Sequence, residues 1–433
     1  MNRSTTRHIL ALSACLIFFG SRIATAEEPP ADAVTLDTLI EETLRKSPGL
    51  QAKRHAYEAA RKRVFAAWLP DDPMAGVDVE GQTNLFDFSG RTDYEYMAAQ
   101  TIPFPTTLLL RGRLAARDAQ MAYQRYQEAE RDIIWHIEQP YYELYMTKRT
   151  LAVLDEVRAL LTRLTGTVQA RYEANKSSQQ DLLKAQIEGS KVDIEIAELQ
   201  QQEHLAQAHF SHLLNQSLET RYTIPEEAMA TPLSLSRPEL ERLAIASRPE
   251  LKAFEIGIKR AKINRLLAAT NWLPDLTGRI EARQFRGEGS VREYDTFIGV
   301  TVPVWSLVKG VGGAWQSANQ DVGEAEALYV EMKNEVLLAV HEAYGKAQAA
   351  EFAVQTYDNS ILPQAKQQVE VALASYEAGR SDFIDLIDAQ RMLKDAQMAY
   401  YKAKAEHALA VSNLRLAVGT DVNRPEAGKG ATP

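Results

Sequence analysis

The stretch Ala170–Gln186, ARYEANKSSQQDLLKAQ, returns near the far end of the chain as Ala374–Gln390, ASYEAGRSDFIDLIDAQ. Tyr-Glu-Ala, a turn residue (Asn175 or Gly379), a cation (Lys176 or Arg380), a serine (Ser177 or Ser381), then Asp-Leu and Ala-Gln recur at a constant offset, 170 to 374. Each copy reads as the end of one helix, a tight turn and the start of another. A repeat of this length decides the architecture before any single residue does. One unit has been duplicated, and each unit carries a helical hairpin with this turn at its tip.

Working outward, the same order of elements appears twice. Thr35–Lys46 is a short amphipathic helix with Leu36, Leu39, Ile40 and Leu44 on one face. Pro48 opens a second helix, as proline suits a first turn, and Pro70 ends it. Two alternating runs follow, Met74–Phe88 and Asp93–Pro105, around Ser89-Gly90-Arg91; period-two alternation across a glycine-containing turn predicts a β-hairpin. From Thr106 to about Tyr172 the pattern is helical throughout, with Pro140 as the expected kink or break. At ~1.5 Å per residue such a helix is near 100 Å long, a length for a coiled coil or a barrel stave. A return helix runs from Ser177 to about Leu214. Past a proline-containing linker the motifs restart. Arg248-Pro249-Glu250-Leu251 matches Ser47-Pro48-Gly49-Leu50, and Trp272-Leu273-Pro274-Asp275 matches Trp68-Leu69-Pro70-Asp71. The second unit repeats the hairpin around Gly287-Glu288-Gly289, a second long helix over about Ser306–Tyr376 with Pro363 as its irregularity, and a return helix Asp382–Val418.

The expected organisation is an export signal (1–26), a first repeat (27–217, β-hairpin about 74–104, helical hairpin about 106–214) and a linker (218–235). A second repeat (236–419, β-hairpin about 276–303, helical hairpin about 306–418) and a disordered tail (420–433) complete it. The signal is read from Arg3 and Arg7, the apolar run Ile9–Gly20 and the small residues Ala24-Thr25-Ala26. Leu12-Ser13-Ala14-Cys15 also has the form of a lipobox, which would leave Cys15 lipidated. Cys15 is the single cysteine, so an exported chain must be held by packing rather than disulfides. Losing Arg3, Arg7 and Arg22 with the signal takes the net charge from −9 to −12, which argues against a nucleic-acid partner. No catalytic constellation, cofactor motif or nucleotide-binding loop is present, and the histidines lack metal-site spacing, so neither an enzyme nor a cofactor is expected. No later segment is apolar for 18 residues, but membrane β-strands leave a much weaker signal. Four strands cannot close a barrel, and an open edge cannot face lipid, so strands in a membrane require several chains to share one barrel.

The duplicated unit, the Trp-Leu-Pro pairs at the helix-to-strand junctions and the two Tyr-Glu-Ala tips resemble the TolC-like outer-membrane efflux proteins, over roughly Leu36 to Val418. IPFPTTLLLRGRLAARDAQ and QQDLLKAQ resemble most the branch serving heavy-metal efflux of the resistance-nodulation-division type. The resemblance implies a mainly α fold with a small β part. It also implies a homotrimer whose pooled strands form a 12-stranded β-barrel in the outer membrane, continued by an α-helical barrel through the periplasm. Such a passive conduit, carrying metal ions, drugs or protein, works with a periplasmic adaptor protein and an inner-membrane pump. By the same resemblance, Asp385, Asp388 and Asp181 are the periplasmic gate. Asn175, Lys176, Ser177, Gly379, Arg380 and Ser381 form the tip turns where an adaptor docks. Tyr172 and Tyr376, with Lys176 and Arg380, either act as gate links between the hairpins or only decorate the turn. From the residues alone, Asp385 and Asp388 are better read as acids at the start of a helix, where negative charge is welcome; it is the resemblance that turns the reading to a gate. A soluble periplasmic coiled-coil scaffold is the alternative of a different class.

Overall fold

A computed structural model describes residues 34–80, 93–175, 177–224, 235–270, 272–285, 287, 289–309 and 313–420. The export signal, the turn at Ser89-Gly90-Arg91, Lys176, residues 225–234 of the linker and the tail from 421 lie outside the described residues.

The elements run α1 (Leu36–Lys46), α2 (Pro48–Ala66), β1 (Met74–Glu80), β2 (Asp93–Ile102), α3 (Pro105–Glu173) and α4 (Gln179–Leu213), then α5 (Arg237–Ser247), α6 (Pro249–Thr270), β3 (Leu276–Gln284), β4 (Glu293–Val300), α7 (Val304–Lys309), α8 (Trp315–Thr356), a π-helical turn (Tyr357–Ile361), α9 (Leu362–Glu377) and α10 (Phe383–Val418). Local chemistry sets the breaks. Ser47 leaves the helical region before Pro48 and its Oγ accepts the N–H of Leu50, so α1 and α2 part there. Arg248 before Pro249 makes the same break between α5 and α6. Trp68, just past α2, lies flush on α3; a side chain at Gly112 would meet its indole at 2.4 Å, so the helices approach this closely only over glycine.

Two expectations about the long helices need correction. Pro140 neither breaks nor ends α3, which runs unbroken for 69 residues. The proline removes only its own bond to the carbonyl of exposed His136, while Ile137, Tyr141 and Leu144 anchor both sides in a buried cluster with Leu39 and Phe210. The second long helix, expected over about 306–376, starts later, with the short α7 standing apart from α8; the irregularity expected at Pro363 is present as the π turn between α8 and α9. α7 ends at Lys309 and α8 begins at Trp315, and the wide π turn ends two residues before Pro363. There the ring has no N–H to give the carbonyl of Asn359, and the wider turn accommodates it.

The core is a set of seven-residue stripes. Thr147, Leu154, Leu161 and Val168 are buried on α3, and Ala389, Ala396, Ala403, Ala410 and Ala417 on α10. A strict seven-residue repeat holds one seam towards a partner helix over a long distance, and alanine lets backbones approach closely. Near-buried Glu138 ties α3 to α10 by accepting from Ser412 and, at 2.8 Å, from Arg415.

The strands form one antiparallel sheet in the order β1-β2-β3-β4, so the two repeats meet at β2 and β3. Register divides its faces. Val77, Tyr96, Ala282 and Tyr294 align on one face, with Ile280, Ile298 and Val300 beside them. Asp78, Glu95, Arg283 and Glu293 align on the other, with Arg279 and Glu281. The apolar face is bare: Ile280 is 57% and Ile298 76% exposed. The charged face is paired within itself, Arg279 to Glu281 at 2.7 Å and Arg283 to Glu95 at 3.5 Å. Such a sheet inverts the usual soluble arrangement, with its oily side outward and nothing of this chain covering it. No described helix is long and apolar enough to cross a membrane.

Candidate functional site: the tips of the two helical hairpins

Each tip begins as a helix that runs out of partners. At the first, α3 ends at Glu173 and Asn175 turns the chain with φ +57°, its N–H donating to the Tyr172 carbonyl at 2.9 Å. At the second, α9 ends at Glu377 and Gly379 turns with φ +68°. The Gly379 N–H reaches the Tyr376 carbonyl at 3.0 Å and the Arg380 N–H the Ser375 carbonyl at 2.9 Å, a Schellman closure. Asparagine tolerates the left-handed region with some strain, whereas glycine enters it freely. The second turn is therefore the less constrained of the two.

The return helices start differently. Ser178 caps α4: its Oγ accepts the Asp181 N–H at 3.2 Å, while Asp181 accepts from the Ser178 N–H at 3.2 Å and the Ser178 Oγ at 2.7 Å. The Ser177 Oγ adds a third donor at 3.1 Å. Partial burial opposes ionisation of Asp181. The Ser178 and Ser177 hydrogen bonds, with Lys184, outweigh it and hold the carboxyl below the usual range. Asp181, expected as a gate acid, is thus engaged as the acid of a capping box. At the matching place in the second tip, Asp382 replaces the serine and offers no side-chain hydrogen bond to the helix. Asp385 is exposed, with no side-chain partner among the described residues.

Asp388, one turn further on, is not free. It accepts from Arg391 Nη1 at 3.2 Å, and Arg391 Nη2 reaches Glu188 on α4 at 2.8 Å. Lys394 spans the same gap to both oxygens of Glu195, at 2.8 and 2.9 Å. These two bridges fasten one hairpin to the other. Burial raises the cost of ionising Glu188, but its bonds from Lys191 and Arg391 prevail and leave its carboxyl below the ordinary glutamate value.

Tyr376 and Tyr172 are not brought together. Tyr376 is buried against Phe383 with ring centroids 5.6 Å apart, and the Arg171 guanidinium lies 4.7 Å from its ring centre. That cation–π contact does join α3 to α9, but through Arg171 rather than Tyr172, which is exposed. Sequence reasoning missed Arg171, Glu188, Glu195, Arg391 and Lys394. A signal was available. Glu188 and Glu195 each lie three residues past a buried alanine or valine of α4 (Ala185, Val192), the flank of a seven-residue seam where ion pairs set partner choice.

The sequence profile of the family described as "Outer membrane efflux protein" matches residues 240–420. The cobalt-zinc-cadmium resistance protein CzcC of Cupriavidus metallidurans is 26% identical over 238 residues, 53% of this chain and 54% of that protein. The chain thus spans about half the length of that relative in the match. The outer membrane protein TolC of Vibrio cholerae is 25% identical over 334 residues, 71% of this chain and 72% of that protein. The solved outer-membrane channel OprN superposes with a TM-score of 0.76 at 16% identity, covering 90% of this chain and 91% of that one.

Proposed function

We infer, the chain belonging to the TolC-like outer-membrane efflux proteins, that it is the outer-membrane channel of a tripartite efflux system. Three copies pool their four strands into a 12-stranded barrel, and their hairpins continue it as a tunnel through the periplasm. The observation that carries this reading is the two-faced sheet. Its apolar side suits lipid, its charged side suits a water-filled lumen, and its two open edges suit identical neighbours. Ile187 and Ile194, seven residues apart and exposed on α4, offer the helical part a seam for the adjoining copy. The chain needs no catalytic site, because an inner-membrane pump of the resistance-nodulation-division type supplies the energy. An adaptor protein docks at the two tip turns, around exposed Asn175 and exposed Gly379. The similarity to the cobalt-zinc-cadmium resistance protein supports metal ions as cargo. The test is fractionation: a heat-modifiable trimer in the outer membrane is expected, and release of the protein by osmotic shock would sink the reading.

At the entrance, Asp385 and Asp388 share a face of α10, three residues apart, and in a trimer make stacked acidic rings. Asp385→Ala with Asp388→Ala is expected to raise single-channel conductance in planar bilayers and to weaken block by multivalent cations. Unchanged conductance and block would remove both acids from the gate.

A further inference from the structure

We propose that the π-helical turn Tyr357–Ile361 is the hinge on which the second hairpin bends when the entrance opens. This deepens the reading of the tips as a gate and rests on it.

A phase slip in the buried and half-buried stripes carries this. Along α8, the inward positions Val322, Tyr329, Val336, Ala343, Ala350 and Tyr357 follow one another at intervals of seven. The next inward position in that series is Ala365, eight further, and Ala372 then resumes the seven. The parallel series Val340, Ala347, Val354 likewise skips eight to Leu362 before Val369 and Tyr376. One residue too many has been inserted, and the wide turn absorbs it. Neither neighbour has such an insertion. On α10, Leu386, Leu393, Tyr400, His407 and Leu414 keep the seven throughout. So do Thr147, Leu154, Leu161 and Val168 on α3, the counterpart helix of the first hairpin.

An inserted residue widens the helix and weakens its hydrogen-bond ladder there, and helices bend at such places. Tyr357 is half-buried, and Asp358, Asn359, Ser360 and Ile361 are exposed, so bending disturbs little packing. Tyr400 of α10 faces the turn, and burial together with the nearby Asp358 charge pushes its hydroxyl above the usual tyrosine value. The lever below is long. From Leu362 to Gly379 the chain covers about 25 Å, so a bend of about 15° moves the turn about 7 Å. The repeat thus pairs a straight hairpin with a jointed one, and the jointed one carries the freer turn and the exposed Asp385.

The test uses the trimer in detergent with spin-labelled cysteine pairs, Cys15 being the chain's only native cysteine. Gln355→Cys with Gln367→Cys spans the turn, and Asp155→Cys with Thr167→Cys spans the same number of residues on α3. All four positions are exposed. The 355/367 distance distribution is expected to be at least twice as broad as the 155/167 one, and to shift by about 2 Å in the Asp385→Ala, Asp388→Ala background, residue 367 lying about 9 Å past the turn. Deleting Asn359, which restores an interval of seven on both stripes, is expected to narrow it to the reference width. Asn359→Ala, which keeps the residue count, is expected to leave it broad. Equal, unshifted widths for the two pairs would overturn the hinge. A broad 355/367 distribution with no gain of conductance in the double-alanine variant would instead leave the hinge standing and remove the acidic gate.

Discussion

Ile280→Arg is expected to abolish assembly in the outer membrane, whereas Glu281→Ala, one residue away, is expected to leave the heat-modifiable trimer intact. Ile280 lies near the middle of β3, flanked by Ala98 on β2 and Thr296 on β4, on the face the chain leaves bare. An arginine at the midplane of a barrel's lipid face costs about 2–4 kcal/mol, and every trimer carries three. Glu281 points the other way, among Arg279, Glu95 and Asp295, into what the reading makes a water-filled lumen. Removing it unpairs Arg279 on the charged face and opens no apolar contact. Quantifying trimer by heat-modifiable migration in outer-membrane fractions checks both. Equal loss in the two variants would mean that the faces are not distinguished by lipid, and the barrel reading would fall with them.

That contrast is legible in the sequence because strand alternation is local. Val77 and Val79 against Asp78 and Glu80, and Tyr94, Tyr96 and Ala98 against Glu95 and Met97, already separate the faces. What alternation cannot supply is register. The sequence does not say that Glu95 faces Arg283, or that the two repeats join through β2 and β3. Those follow from pairing between segments nearly two hundred residues apart. The long helices are legible for the same local reason, composition and periodicity, and they fail where a single residue acts against a large context. Pro140 reads as a kink or a break, yet α3 passes through it without a break because the buried cluster on either side over-determines the helix. The slip at Tyr357–Ile361 was present in the spacing of the buried residues, eight where seven is the rule. It shows only once burial identifies which positions to count.

The tips divide in a similar way. Turn residues are visible at once, since Asn175 and Gly379 need a left-handed conformation that few residues adopt. The acids are visible as residue types but not as roles. Asp181 and Asp385 stand at the same point of the repeat, yet Ser178 draws the first into a capping box, while Asp382 at the matching position leaves the second in solvent. A one-residue difference in the cap thus decides which acid is available for cations. The fastening of one hairpin to the other is less visible still. It depends on two helices from different repeats lying side by side, with Arg391 and Lys394 at the height of Glu188 and Glu195.

Those two bridges carry the other large expectation: Arg391→Ala with Lys394→Ala favours the open entrance more strongly than removal of either acid ring alone. Arg391 holds Glu188 of the first hairpin and Asp388 of its own at once, so its loss releases the contact between hairpins and unpairs Asp388. Lys394 is nearly buried and bidentate on Glu195, the better geometry of the two. Partly exposed pairs contribute about 0.5 kcal/mol each, so two pairs in each of three chains make about 3 kcal/mol, or roughly a hundredfold in the closed-to-open ratio. The same pairs predict a pH dependence whose sign is fixed by Glu188. Its folded carboxyl titrates below the ordinary glutamate value, so the stabilisation is complete above that ordinary value and is lost as pH falls through the lower folded one. Open probability in planar bilayers is therefore expected to stay flat from pH 8 to about 5 and to rise on further acidification. In the double-alanine variant it is expected to be high already at neutral pH and to lose most of that acid response. A closed, wild-type-like channel in the variant would show that contacts between chains, rather than these bridges within one, hold the entrance shut.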